Sequence, residues 1–330
     1  MSPRTGFKLL GREAARLFVN NRSVLQPSPV RFFQKMTFTE ETGGSTPGNM
    51  SILSPSVKEM DLQSVIFQPE VVIFDKDGTL VCFHTMWNSW CEQLAYRMRS
   101  VMEKDMDDSV YQLLGYDNVA KKVRMGLLAE KTHPYIKEKL EELLVKEGFS
   151  SWEARNVVTK TWKDTPENMQ IKSTGNLRTL FSRLKENNIK IAICTSDSRE
   201  GTQEFLERMS LTDLVDLVVC GDDPESISKP DPHNARFICE KLNARLSDTI
   251  MVGDTPADTI MGQSANLGLT IGVLTGVGSE ADLSHADIIL KDITQVVDLI
   301  TPSKEEHRES HNVMVTARGL NKIAERSCFS

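Results

Sequence analysis

Short apolar runs recur along the chain at residues 71–74, 189–194, 214–220, 249–252 and 269–273, with a weaker one at 287–290. Polar segments of ten or more residues, spaced as helices, separate most of them. Runs that are apolar throughout, rather than alternating, belong to strands buried on both faces. A helix between successive strands returns the chain to the same edge and makes those strands parallel.

The rhythm breaks once. Well over 100 residues separate the first two runs, far more than a crossover helix needs. Within them Trp87, Trp90, Cys91, Leu94, Met98 and Val101 form a stripe of helical period, and Ile136, Leu140, Leu143 and Leu144 form another. Trp152, Val158 and Trp162 mark a further helix, and the tryptophans are expected in the core of this insertion. The expected fold class is therefore α/β: a Rossmann-like parallel sheet core with helices on both faces, over 66–83 and 171–301, carrying an inserted α-helical domain over 84–170. Residues 40–65 are rich in Gly, Ser, Thr and Pro and read as a linker, and 302–330 as a polar, solvated tail. In that tail His307 and His311 are four apart, but no Glu follows the first, so a zinc-protease motif is excluded.

In an open parallel sheet chemistry collects at the carboxyl ends of the strands. The first strand ends in Asp75-Lys76-Asp77-Gly78-Thr79 and the second in Thr195-Ser196. A loop after the third carries Lys229-Pro230, and the fourth ends in Gly253-Asp254-Thr255-Pro256-Ala257-Asp258. Four loops thus bring carboxylates, hydroxyls and a lysine to one rim. An EF-hand reading of the first motif fails, because Ile73 and His84 would occupy positions 1 and 12 of the loop. Asp75 and Asp77 repel each other at this spacing, and burial makes each harder to ionise, so the site needs a compensating charge.

These four motifs, DKDGT, Thr195, Lys229 and GDTPAD, resemble in order the haloacid dehalogenase superfamily, and most closely its phosphoglycolate-phosphatase-like hydrolases. The resemblance spans about residues 70–300, including a helical cap inserted after the first motif. It implies a Mg²⁺ site formed by Asp75, Asp254 and the main-chain carbonyl of Asp77, with Asp258 in support. It implies Asp75 as nucleophile, Asp77 as general acid and base, and Thr195 and Lys229 at the transferring phosphoryl group. Gly78, Thr79, Ser196 and the cap's Arg124 are further candidates for binding phosphate or substrate. His84, Arg124 and the segment 129–133 are the cap's polar candidates for setting specificity, and basic Lys121, Lys122 and Arg124 either meet an acidic substrate or form an exposed charged helix face. Dehalogenases lack an acid two residues after the nucleophile, so Asp77 favours phosphoryl transfer; no feature marks a mutase, and hydrolysis of a small phosphorylated metabolite is the expectation. A phosphomutase of the same superfamily, or a non-catalytic binding module on the same fold, is the alternative.

The net charge of −7 is unevenly spread. Residues 1–39 hold seven Lys or Arg against one acid, Glu13, a net +6 that leaves −13 for the remainder. The acidic remainder argues against nucleic acid as a partner. Phe7, Leu10, Ala14, Leu17 and Phe18 share one face of a helix whose other face carries Arg4, Lys8, Arg12 and Arg16, as in a mitochondrial presequence. The expected location is mitochondrial, otherwise cytoplasmic; a basic tail or a membrane-surface helix are the other readings of 1–39. No apolar run has the length of an integral membrane segment. The six cysteines form no CxxC pair and are expected as reduced core thiols.

Overall fold

The computed structural model describes residues 58–61, 68–164, 171–300 and 312–327. The basic segment 1–39, most of the expected linker, and His307 and His311 lie outside them. In chain order the elements begin with β1 (Lys58–Asp61), β2 (Val71–Phe74), α1 (Phe83–Met102), α2 (Asp107–Leu114), β3 (Tyr116–Asp117), β4 (Lys122–Val123), α3 (Leu127–Glu130), α4 (His133–Lys146) and α5 (Ser151–Thr161). There follow α6 (Leu177–Glu186), β5 (Lys190–Cys194), α7 (Arg199–Arg208), β6 (Leu217–Val219), α8 (His233–Lys241), β7 (Thr249–Gly253) and α9 (Pro256–Ser264). The chain continues through β8 (Leu269–Val273), β9 (Ile288–Leu290), α10 (Thr294–Ile300), β10 (Asn312–Val315) and α11 (Ala317–Ser327).

Eight strands form one sheet in the order β1-β10-β9-β8-β7-β2-β5-β6. The six from β6 to β9 are parallel, as the continuous apolar runs predict. Strand β2 is central, with Phe74 opposite Ile193 of β5 and Val252 of β7. One residue further on, Asp75 therefore emerges between the ends of both neighbours. Side chains alternate across the strand: Val72 and Phe74 pack with Leu180 and Phe181 of α6 and Val296 of α10, and Val71 and Ile73 with Ile238 of α8 and Met261 of α9. The sheet is thus covered on both faces.

The expected polar tail is a correction. Strand β10 runs antiparallel to β9 and also pairs with β1, which lies in the stretch read as linker. The overall polarity of 302–330 concealed the short Asn-Val-Met-Val run. Helix α11 is then tied down by Asp287, whose fully buried carboxylate accepts hydrogen bonds from Lys322 Nζ (2.8 Å), Arg318 Nε (3.2 Å) and the Thr270 amide (2.8 Å).

Helices α1 to α5 and the two-stranded β3–β4 ribbon occupy the gap between β2 and β5. Helix α1 buries Phe83, Met86, Trp87, Trp90, Cys91, Leu94 and Met98 on one face and ends at Glu103 in the left-handed conformation (φ 53°). Helix α5 starts in a capping box, the Ser150 hydroxyl accepting from the Glu153 amide and the Glu153 carboxylate accepting from the Ser150 amide. Trp90 is fully buried between Trp87 and Trp162, at ring distances of 5.4 and 5.0 Å. Trp152 departs from the expectation: it is 75% exposed on the outer face of α5. Cys91, Cys194, Cys220 and Cys239 are buried free thiols and Cys82 is half-buried. No helix among the described residues is long and apolar enough to cross a membrane.

Candidate active site

The carboxyl ends of β2, β5 and β7 and the loop before α8 meet in one cleft, roofed by residues of α1 and of the α3–α4 connection. Asp75, Asp77, Thr195, Ser196, Lys229 and Asp258 line its floor, and Phe83, Trp87, Leu128, Lys131 and His133 line its roof. The cavity is about 30 Å³ and opens to solvent.

Lys229 is the hub of the floor. Its buried ammonium donates to Asp75 Oδ1 (2.7 Å), Asp258 Oδ1 (2.6 Å) and the Cys194 carbonyl (3.3 Å). Asp258, third residue of α9, also accepts from the Thr255 amide (3.1 Å) and hydroxyl (2.7 Å), so both its oxygens are held. Asp254 is fully buried and accepts from the Thr79 hydroxyl (3.3 Å) and the Val277 amide (3.0 Å). The crowding round Asp254 leaves no room for side chains at Gly78 or Gly276. A Cβ there would come within 2.3 and 1.8 Å of Asp254 Oδ2, and Gly78 (φ +96°) also turns the chain where other residues are strained.

Asp75, Asp254 and Asp258 each offer a carboxylate oxygen within 4.8 Å of the others. Three buried carboxylates thus share one ammonium. Burial pushes the Asp75 carboxyl up to about 7; Lys229 opposes the rise, and Asp258 and Asp77 add to it. Burial, then the charges of Asp75 and Asp258, hold Asp254 well above the ordinary carboxylate range. A set made only of hard oxygen donors, two charges short of neutrality, fits a divalent cation such as Mg²⁺.

Asp77 stands apart. Lys76, wholly buried, binds both its oxygens (2.8 and 2.7 Å) and reaches Asp197 Oδ2 at 2.9 Å. Burial raises the Asp77 carboxyl, as does Asp197, against the pull of Lys76. Burial also acts on Asp197, but Lys76 and then His133 outweigh it and leave that carboxyl below its ordinary value. The side chain of Asp77 therefore faces the cleft and Lys76, not the three metal-fitting carboxylates. The Trp87 indole N–H, buried at the roof, lies close enough to the Asp77 carboxylate to pull its pKa down, though outside strict hydrogen-bond geometry.

The remaining candidates divide. Thr195 is buried and its hydroxyl oxygen accepts from the Asp197 amide (3.1 Å), which leaves its hydrogen free for the cleft. Ser196 lines the cleft beside it. Thr79 and Gly78 serve Asp254 rather than the cleft. Arg124 is a correction: it is exposed on the β3–β4 side and paired with Asp117 (3.0 Å), away from the cleft lining. Lys121 is likewise exposed and paired with Glu92 (2.8 Å). His84 sits in the first turn of α1 beside Asn88, its ring nitrogens buried and outside strict hydrogen-bond geometry among the described residues, and it does not line the cleft. Of the expected roof residues only the segment 129–133 reaches the cleft. The sequence reading missed Lys76 and Asp197. Their one signal is place, Lys76 between the two motif aspartates and Asp197 two beyond Thr195.

A family model described as haloacid dehalogenase-like hydrolase matches residues 69–266. The phosphoglycolate phosphatase of Neisseria meningitidis is 26% identical over 263 residues, covering 74% of this chain and 99% of the relative. The validoxylamine A 7'-phosphate phosphatase of Streptomyces hygroscopicus is 31% identical over 117 residues, 36% of this chain and 54% of the relative. The crystal structure of a predicted phosphoglycolate phosphatase from Haemophilus somnus superposes with a TM-score of 0.51 at 17% identity, covering 70% of this chain and 98% of that one, a likeness of fold.

Proposed function

The chain belongs to the haloacid dehalogenase-like hydrolase family, and from that premise we propose that it is a Mg²⁺-dependent phosphatase that hydrolyses a small phosphate monoester through an aspartyl-phosphate. The observation that carries this reading is the separation of two carboxylates on one strand end. Asp75 joins Lys229, Asp254 and Asp258, while Asp77 faces the cleft on Lys76.

Asp75, Asp254 and Asp258 would hold the metal, with the Asp77 main-chain carbonyl as a further donor. When bound, Mg²⁺ supplies positive charge that offsets the repulsion between an anionic phosphate and an anionic nucleophile. Asp75 attacks with the oxygen that Lys229 does not hold, forming the O–P bond as the ester P–O bond breaks. The electron pair of the broken bond leaves on the ester oxygen, which takes the proton of Asp77. The raised position of the Asp77 carboxyl suits that role. Water then attacks phosphorus, Asp77 accepts its proton, and the bond to Asp75 breaks to regenerate the carboxylate. Lys229 and the Thr195 hydroxyl meet phosphoryl oxygens where charge is greatest.

Residues of α1, α3 and α4 roof the cleft, so residues 84–170 act as a cap that closes over the leaving group and excludes water. The relatives named for phosphatase activity support hydrolysis of a phosphorylated metabolite. The test is phosphate release by the purified full chain across a panel of monoesters, with Mg²⁺ and with EDTA, beside Asp75→Asn. Release that needs both Mg²⁺ and Asp75 supports the reading; release that survives either removal overturns the site assignment.

A further inference from the structure

The roof of the cleft sends one imidazole to the floor. His133, first residue of α4, is buried, and its Nε2 lies 3.4 Å from Asp197 Oδ1. Its Nδ1 lies 3.5 Å from Asp164, beyond the end of α5. The ring is clamped edge-to-face between Trp87 (5.7 Å) and Trp162 (5.4 Å), so its orientation is set by the core of the inserted helices. Asp164 is itself fixed, accepting from the Trp162 indole at 2.7 Å with Lys137 at 3.4 Å.

On the floor side Asp197 is equally constrained. Its Oδ1 accepts from the Ser198 amide (2.7 Å), its amide donates to Thr195, and its carbonyl accepts from the Gly221 amide (2.8 Å). Its Oδ2 meets the Lys76 ammonium, and that same ammonium holds both oxygens of Asp77. The contacts run unbroken from an aromatic cluster of the inserted helices to the Asp77 carboxylate on the floor of the cleft.

We propose that His133 is a positioning residue for the leaving-group step, acting through Asp197 and Lys76 to hold the Asp77 carboxylate in place when the roof is closed. This rests on the phosphatase reading, in which Asp77 gives its proton to the departing oxygen. Lys76 is shared between two carboxylates. With His133 on Asp197, that carboxylate has a second partner and Lys76 stays centred on Asp77. Without His133 the lysine is drawn toward Asp197 and carries Asp77 with it. A misplacement of about 1 Å can cost about 100-fold in a proton-transfer step, because alignment of the reacting groups is lost. The chain also couples closure to chemistry, since an open roof withdraws the histidine and leaves Asp77 less firmly held.

The prediction is selective. Alkyl phosphates leave as poor anions and need the proton; p-nitrophenyl phosphate leaves as a stable anion and does not. In the full chain, His133→Gln should lower kcat for the best alkyl phosphate of the panel by roughly 10–100-fold, a fraction of what general acid catalysis supplies. It should leave kcat for p-nitrophenyl phosphate within about 3-fold, since no proton is needed there. Asp164→Asn reaches the same ring from its far side and should give the same selectivity at smaller amplitude, which keeps the test decisive if His133→Gln folds poorly. Equal losses on both esters, or no loss on either, would overturn the positioning role while leaving the phosphatase reading standing. No phosphate release by the wild type from any ester would remove the phosphatase reading, and the inference with it.

Discussion

Replacing the proposed nucleophile should make the metal-free protein more stable while removing its activity. The perturbation is Asp75→Asn, which keeps the shape and one acceptor oxygen for Lys229 but deletes a charge from a cluster of three carboxylates and one ammonium. Folding raises the Asp75 carboxyl from 3.8 to about 7, chiefly by burial, with the opposing pull of Lys229 already counted. A raised carboxyl contributes stability that is whole below its unfolded value and is lost as pH climbs through the folded one. The wild type thus carries a growing penalty from about pH 4 to about pH 7, reaching roughly 4 kcal/mol for a shift of about three units. Asparagine carries none of it. The advantage of Asp75→Asn in EDTA should therefore widen by about 2 kcal/mol between about pH 5 and pH 7.5, or ~4–8 °C in melting temperature for a domain of this size. Thermal melts followed by circular dichroism at both pH values read this directly. A variant less stable than wild type at both, or an advantage that does not change with pH, would refute the account of the cluster as an uncompensated excess of negative charge.

The same excess predicts that Mg²⁺ raises the melting temperature of the wild type more at about pH 8 than at about pH 5.5, because protons compete with the ion for Asp75 and Asp254; a shift independent of pH in scanning fluorimetry would count against these ligands. Lys229→Ala should cut kcat by at least about 100-fold, as loss of one transition-state donor does elsewhere, and steady-state kinetics at saturating Mg²⁺ would show it. Trp90→Ala should cost about 3–5 kcal/mol in urea unfolding by opening a cavity under α1, whereas Arg124→Ala, an exposed side chain outside the cleft lining, should leave kcat/KM within about 2-fold. Residues 1–39 fused to a fluorescent reporter should enter mitochondria, and a diffuse cytosolic signal would favour a plain basic tail.

The parallel sheet and the four motifs were legible because both are local. A strand buried on two faces must be apolar throughout, and Val71–Phe74, Leu269–Val273 and their neighbours say so without reference to the rest of the chain. The strand ends follow, and with them Asp75, Thr195 and Asp254. Strand β10 was not legible, since four residues in a polar stretch carry little signal until β9 and β1 supply their hydrogen bonds. Nor were the partners of the site residues. Nothing local distinguishes Arg124, bound to Asp117 on an exposed ribbon, from a cation that greets substrate. The same holds for Lys76, Asp197 and His133, which lie far apart in sequence and acquire meaning only at 2.9 and 3.4 Å. Residue type and spacing determine what chemistry a strand end can offer, because they set charge, donors and burial along the chain. Which carboxylate gathers with the lysine and which turns to the leaving group is decided by tertiary packing, because electrostatic energy depends on distance in space.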